Sequence, residues 1–201
     1  MTSANIANPF DAHMSRGPSD FDRTHRFTTS FVWNLPKAGQ ALGSRPLGAV
    51  ADGWQFSGIV GLTSGSPFGI NSTSDQMAGA GSPRADLAGN LFLPSGRSRG
   101  EQIAQYFNTS AAVQTQPGSY GTLGRNVLRN PGGSSTDVSL SRTVPLKFRE
   151  GTSLMFRSEF FSLFNHPQLA GPDNRLGRST FGQILNVGGQ RVLQFGLKLS
   201  F

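Results

Sequence analysis

The 201-residue chain contains no cysteine, which excludes disulfide bonds and thiolate metal sites and leaves the redox compartment open. Charged residues are also scarce, at 14%, and no run of five or more like charges occurs. No stretch approaches the ~20 consecutive apolar residues that a membrane-spanning helix needs. These absences exclude a disulfide-stapled domain and a helical membrane protein.

What is abundant points to strands and turns. Phenylalanine occurs 16 times, against two tryptophans and two tyrosines, and there are 26 glycines and 12 prolines. This composition favours short strands joined by long polar loops. The net charge of +7 comes mostly from scattered arginines without a basic helix face. We therefore expect no nucleic-acid partner, although a basic surface can also attract anionic lipid or acidic glycan.

The first ten residues, MTSANIANPF, lack the basic and apolar regions of a secretory signal peptide. The expectation is that the chain either stays in the cytoplasm or does not begin at the natural start of its protein.

Period-two alternation, the pattern of a strand with two unlike faces, occurs five times. The predicted strands cover residues 26–35, 54–62, 135–143, 153–163 and 191–201. Each is about nine to eleven residues long, the length of a tilted transmembrane strand. The pattern predicts an all-β fold, an antiparallel membrane-type meander of about five strands.

The connections between these strands differ in length at the two ends of the predicted sheet. Residues 36–53 and 144–152 form short or moderate connections, whereas 63–134 and 164–190 form long ones. In outer-membrane barrels the short turns are periplasmic and the long loops extracellular. With the C-terminus at the periplasm, the pattern predicts that 63–134 is a large, mostly exposed extracellular loop.

Six segments then resemble TonB-dependent outer-membrane receptors of the Oar-like branch, whose full-length members usually carry a carboxypeptidase-regulatory-like domain. The segments are FDRTHRF at 21–27, GWQFSGI at 53–59 with SGSPF at 64–68, YFNTSA at 106–111, GTLGRNVLRNPG at 121–132, FRSEFFSLFNHP at 156–167, and the terminal Phe201. They occur in the family's order, and the resemblance covers roughly residues 18 to 201.

The resemblance implies that residues 1–201 are the C-terminal part of a 22-stranded barrel whose signal peptide, plug domain and remaining strands are absent from this chain. The full-length parent is expected in the outer membrane of a Gram-negative bacterium, contributing to substrate uptake or traffic. The fragment alone is expected to be incompetent, without catalysis or cofactor. Expected partners are outer-membrane lipid, the barrel assembly machinery, the rest of the barrel and its plug, and TonB through that plug only.

Two groups of site residues follow from the strand faces and the resemblance. Candidate lumen-facing residues are Arg26, Gln55, Arg157, Glu159 and Lys198. The candidate assembly signal comprises Leu193, Phe195, Leu197, Leu199 and Phe201. An Arg157–Glu159 charge pair within a polar barrel interior is the favoured reading of those two residues.

Two other classes stay open. One is a soluble basic β-module that binds polyanionic glycan or nucleic acid. The other is a serine hydrolase, because residues 96–100 fit G-x-S-x-G, and Asp137 and His166 follow in hydrolase order. That motif needs a parallel α/β sheet, which the chain does not predict. His13, His25 and His166 lack the spacing of metal ligands, so no metal site is expected.

Overall fold

The computed structural model describes residues 8, 11–72, 84–147 and 150–201. Its helices are α1 (Ala38–Ala41), α2 (Arg45–Ala51) and α3 (Arg99–Ala104), with 3-10 turns at Ala12–Ser15 and Thr109–Ala111. Its strands are β1 (Arg26–Asn34), β2 (Trp54–Thr63), β3 (Pro67–Phe68), β4 (Asp86–Leu87), β5 (Ala112–Val113), β6 (Leu128–Arg129), β7 (Gly133–Pro145), β8 (Ser153–Phe161), β9 (Gln168–Leu169), β10 (Val187–Gly188) and β11 (Val192–Ser200).

The five long strands form one antiparallel sheet in the order β1-β2-β7-β8-β11. The predicted fold, an antiparallel meander of five strands, is therefore confirmed. Strands β1 and β11 form the two edges of this sheet, and each pairs on one side only within the described residues. The predicted parent barrel of 22 strands has many more strands than this sheet, and it stays a prediction.

The structure shifts the bounds of two predicted strands by two residues and those of the other three by one. The strand predicted over 153–163 ends at Phe161, because Ser162 adopts a left-handed backbone with φ 50° and its N–H turns to donate to Asp137 Oδ1 at 2.8 Å. The strand predicted over 135–143 extends to 133–145, since β2 pairs with its first residues and β8 with its last. Alternation of side chains alone could not mark either boundary.

By contacts, the chain divides into two compact units. The sheet unit comprises His25–Thr63, Gly133–Gln168 and Gly189–Phe201, and the excursion unit comprises the described residues of Met1–Thr24, Ser64–Gly132 and Leu169–Gly188. The chain leaves the sheet at Thr63 and re-enters it at Gly133, and these two residues are paired. That exit lies at the end of the sheet opposite Ser200.

The excursion unit has a hydrophobic core of its own. All ten buried hydrophobic residues among the described ones belong to it: Ile70, Ala85, Leu91, Phe107, Ala111, Ala112, Leu123, Leu128, Leu176 and Ile184. Phe107 is packed against Phe181 with ring centroids 5.2 Å apart. The prediction of a mostly exposed loop at 63–134 missed this core, because the described part of the segment contributes eight of these ten side chains and closes through the β3–β6 and β4–β5 pairs. The extracellular location of the segment stays a prediction.

The sheet unit contrasts with this. Among its described residues no hydrophobic side chain is buried, and the large ones on both edge strands are exposed. A water-soluble sheet of five strands would normally cover one face with a core. No helix in the described part of the chain is both long and apolar enough to span a membrane.

Candidate functional site

Cross-strand pairing assigns the side chains of the sheet to two faces, because directly opposed residues share a face and successive residues alternate. The polar face carries Arg26, Thr28, Ser30, Asn34, Gln55, Ser57, Thr63, Ser135, Asp137, Ser139, Ser141, Thr143, Ser153, Arg157, Glu159, Gln194, Lys198 and Ser200. A few apolar residues interrupt it, among them Val32, Ile59 and Phe161. All five residues predicted to face a lumen therefore lie on one face of one sheet.

Four of those five residues lie close together. Gln55 and Arg157 flank Ser141 from the strands on its two sides, so they occupy one rung of the sheet. Arg157 Nη2 lies 2.7 Å from Glu159 Oε1, two residues along the same strand. Lys198 is the diagonal neighbour of Arg157 across β8 and β11. The cluster thus presents two cations, one carboxylate and an amide in a small area.

Arg26 lies apart from this cluster. It pairs with Thr63, which is eight residues (63 − 55) along β2 from Gln55. At roughly 3.3 Å per residue the separation is about 26 Å. The candidate residues thus form one group near the C-terminal end of the sheet and a single arginine at the opposite end.

The opposite, apolar face carries Phe27, Phe31, Trp33, Trp54, Phe56, Val60, Leu62, Val138, Leu140, Val144, Leu154, Phe156, Phe160, Leu193, Phe195, Leu197 and Leu199. Its aromatic rings contact one another across strands, with centroid distances of 5.3 Å for Phe31–Phe56, 6.0 Å for Trp54–Phe156 and 6.5 Å for Phe156–Phe195. This face is a continuous apolar surface that no described element of the sheet unit covers with a core.

The predicted assembly residues follow the same face. Leu193, Leu197 and Leu199 oppose apolar partners on β8, and Phe195 opposes Ser158. Phe201 lies beyond the end of β11 and is 86% exposed. The structure thus places four of the five on one edge strand and leaves the fifth free of the pairing ladder.

One residue that the sequence reading did not single out breaks the apolar pattern. Arg142 lies between Trp54 and Phe156 on the apolar face and is the one charged residue there in the described strands. Its guanidinium lies 5.8 Å from the centre of the Trp54 ring. Counting alternate residues from Val138 and Leu140 would have assigned it to this face.

Ser98, the candidate nucleophile, caps α3. Its hydroxyl accepts from the Glu101 backbone N–H, and its own backbone N–H donates to Glu101 Oε2 at 2.7 Å, which completes a capping box. The Ser98 hydroxyl also donates to Glu101 Oε2 at 2.7 Å. The hydrogen bonds that the carboxylate accepts from the Ser98 hydroxyl and from the Ser98 backbone N–H lower the pKa of Glu101, the hydroxyl having the largest effect. The backbone of Ser98, at φ −61° and ψ 157°, is unstrained, unlike a nucleophile elbow.

Next to this helix the excursion unit has an open cavity of about 320 Å³, lined mainly by apolar and aromatic side chains with Arg97, Gln102 and Arg129 at its polar positions. Arg97 and Arg129 already donate to backbone carbonyls, of Glu101 and Gly65 respectively. Burial raises the pKa of Tyr106, which also lines the cavity. Within the described residues no group of three or more His, Asp or Glu side chains is placed to hold a metal ion.

Asp173 organises the last segment of the excursion unit, and its side chain is only 8% exposed. The Thr180 hydroxyl donates to its Oδ2 at 2.6 Å and Arg178 Nη1 lies 3.7 Å away. The Thr180 hydrogen bond, with the Arg175 N–H and the nearby arginines, lowers the pKa of Asp173 below 3.8, although burial opposes this.

We expect Asp173→Asn to remove an acid-sensitive contribution to stability. The pKa of Asp173 is lower in the folded protein than in the unfolded chain, so the ionised carboxylate stabilises the fold. This contribution is fully present above the pKa of the unfolded chain and is lost as pH falls through the pKa of the folded state. The stability difference between the natural protein and Asp173→Asn should be full above about pH 4 and shrink below it. Hydrogen exchange of amides in 169–188 against pH measures this. A difference independent of pH would contradict it, and Thr180→Val should move the midpoint upward.

Residues 1–194 match the protein family described as outer membrane beta barrel domain. No curated protein and no solved structure matches the chain.

Proposed function

This chain belongs to the outer membrane beta barrel domain family, and from that premise we propose that it forms the C-terminal part of the wall of a TonB-dependent receptor or transporter of the Oar-like branch. The protein resides in the outer membrane. We assign to its polar face the lining of the path by which substrate is taken up or moved. The polypeptide is proposed to carry no catalysis and no cofactor.

One observation carries this proposal: the sheet has an apolar face and a polar face, yet none of its described hydrophobic side chains is buried. In a barrel wall, lipid covers the apolar face and the aqueous lumen covers the other, so neither face needs a protein core. The excursion unit buries apolar side chains in a core of its own, which suits an aqueous environment. It would form the extracellular part.

The polar cluster supports a role in contacting substrate. Arg157, Glu159, Lys198 and Gln55 supply both charge signs and an amide within neighbouring strands. Arg157 and Glu159 also satisfy each other's charge, which would otherwise need water or substrate as its partner. A lumen lined in this way favours polar or zwitterionic substrates over apolar ones.

The proposed partners follow from the same geometry. Outer-membrane lipid covers the apolar face, and further strands of the barrel pair with the edges β1 and β11. We assign to the barrel assembly machinery the recognition of Leu193, Phe195, Leu197, Leu199 and Phe201. A plug domain within the barrel would connect to TonB, and no nucleic acid is involved.

Cysteine labelling tests this proposal cleanly, because the natural chain has no cysteine. Single substitutions at Gln55, Ser57, Phe56 and Val60 sample both faces of β2. In protein purified from the outer membrane and reconstituted into phospholipid vesicles, a water-soluble maleimide should modify Gln55→Cys and Ser57→Cys. Phe56→Cys and Val60→Cys should react only after detergent or denaturant is added.

The runner-up classes give other results. A soluble basic β-module would leave the membrane fraction in salt and bind heparin or RNA with an affinity that falls as salt rises. If the maleimide modified residues of both faces alike in vesicles, that result would also count against the barrel wall. A serine-reactive probe that modifies Ser98 would favour the hydrolase.

A further inference from the structure

The connection between β1 and β2 is a pair of short helices, which we call the helix hairpin (Ala38–Ala51). The backbones of Gly39 and Gly48 approach so closely that a Cβ on Gly39 would overlap Gly48. The Gly39 N–H donates to Asp52 Oδ1 at 2.9 Å, which closes the hairpin. A folded hairpin at this position is unusual, since connections at the short-turn end of a barrel are normally brief.

Two side chains from the apolar face hold the hairpin. Arg142 Nη1 donates to the Val50 carbonyl and Nη2 to the Ala49 carbonyl, both at 2.7 Å. Trp54 Nε1 donates to the same Val50 carbonyl at 2.8 Å. These carbonyls belong to the last turn of α2, where the helix dipole favours a cation. The charge on an otherwise apolar face is therefore satisfied by the hairpin.

The hairpin exposes apolar side chains beside that face. Leu42 is 72% exposed, Val50 is 69% exposed, and Leu47 is also exposed. Lys37 and Arg45 flank them with positive charge. Both tryptophans of the chain, Trp33 and Trp54, lie on the apolar face at this same end of the sheet.

We propose that the helix hairpin is an interfacial anchor in the phospholipid leaflet at the C-terminal end of the sheet, held there by Arg142 and Trp54. The inference rests on the proposed function, which assigns the apolar face to lipid and this end to the periplasm. Tryptophan and arginine gather where acyl chains meet headgroups. Leu42, Leu47 and Val50 insert to the depth of interfacial helices, about 5–10 Å. Lys37 and Arg45 face the lipid phosphates.

The continuity of the two surfaces favours lipid over a protein partner as the occupant. Arg142 and Trp54 belong to the apolar face and at the same time bind the hairpin. Whatever covers that face at this end therefore also meets the hairpin. Where acyl chains cover the strands, the surface that adjoins the strand ends lies at the level of the lipid headgroups.

Depth-dependent quenching tests the inference. Single cysteines replace Val50, Phe195 and Ser119, and each carries an environment-sensitive fluorophore in protein purified from the outer membrane. Vesicles of phosphatidylethanolamine and phosphatidylglycerol contain lipid brominated either near the glycerol or near the end of the acyl chain. Phe195 reports the apolar face, and Ser119, exposed in the excursion unit, reports water.

The shallow quencher should act more strongly than the deep one on Val50→Cys, both should act on Phe195→Cys, and neither on Ser119→Cys. Quenching at Phe195 with none at Val50 would overturn the anchor and leave the barrel wall standing. No quenching at either position would overturn both. A fluorophore at Val50 that is shielded from water but unquenched would indicate a protein partner, and this also overturns the anchor.

A second variant tests the part assigned to Arg142. Arg142→Met keeps a long side chain compatible with lipid but removes both donors to the hairpin. The shallow quenching at Val50 should fall toward the Ser119 level, while quenching at Phe195 stays as before. An unchanged signal at Val50 would overturn the role of Arg142 as the tether.

Discussion

Val138→Arg should destabilise the membrane-inserted sheet by about 2–4 kcal/mol, whereas Ser139→Arg should cost little. Val138 lies near the middle of β7 on the apolar face, paired with Gly58 on one side and Phe160 on the other. An arginine there would face the hydrocarbon core. Ser139, the next residue, faces Ser57 and Glu159 on the polar face, where water solvates a new charge and Glu159 attracts it.

Unfolding in urea from phospholipid vesicles, followed by tryptophan emission, measures both free energies. The two variants add the same side chain to adjacent residues of one strand, so a difference between them reports the face and not the strand. Equal costs would contradict the assignment of lipid to the apolar face. A larger cost at Ser139 would reverse it.

Phe201→Ala in the full-length parent should lower its outer-membrane level far more than it lowers the stability of the refolded barrel. Phe201 is highly exposed and lies beyond the last ladder pair, Ser200–Ser153, so its truncation removes few folded-state contacts. In the proposed barrel its position falls near the membrane interface, where even a charged lipid-facing residue costs only about 0–1 kcal/mol. The resemblance implies a kinetic role in recognition by the assembly machinery.

Immunoblots of outer-membrane fractions, set beside unfolding of the purified barrel in detergent, separate these two effects. Phe164→Ala is the matched control, because Phe164 is a similarly exposed phenylalanine of the sheet unit outside the assembly signal. It should leave the membrane level nearly unchanged. Equal losses in both assays for Phe201→Ala, or no loss in membrane level, would count against the assembly role.

The sheet was predictable because each long strand carries its own two-faced pattern. Leu193, Phe195, Leu197 and Leu199 alternate with Gln194 and Lys198, and no distant residue is needed to see it. The same parity brought the five candidate lumen residues to one face. Arg142 was overlooked, although parity places it among apolar neighbours, because its partners are backbone carbonyls that the sequence does not mark.

The core of the excursion unit was not predictable in the same way. Ile70, Leu91, Phe107 and Leu123 stand far apart in the chain among glycines, prolines and polar residues, so they show no period of two or of 3.6. They meet through tertiary packing in one cluster, which backbone hydrogen bonds support, such as that from the Leu123 N–H to the Ala85 carbonyl, at 3.0 Å. The helix hairpin was missed for a related reason, since its helices are too short for a periodic signal.

The pairing at the mouth of the excursion bears on the order of folding. Thr63 pairs with Gly133, and just beyond it the Asn130 N–H donates to the Ser66 carbonyl while Pro67 pairs with Arg129. If the segment between Thr63 and Gly133 were unstructured, the pairing of β2 with β7 would be slow, because closing a long loop costs conformational entropy. If the excursion unit collapses first around its own core, it brings the two strand ends together as a tight turn would. Strand pairing would then proceed from that end of the sheet toward the end that contains Ser200.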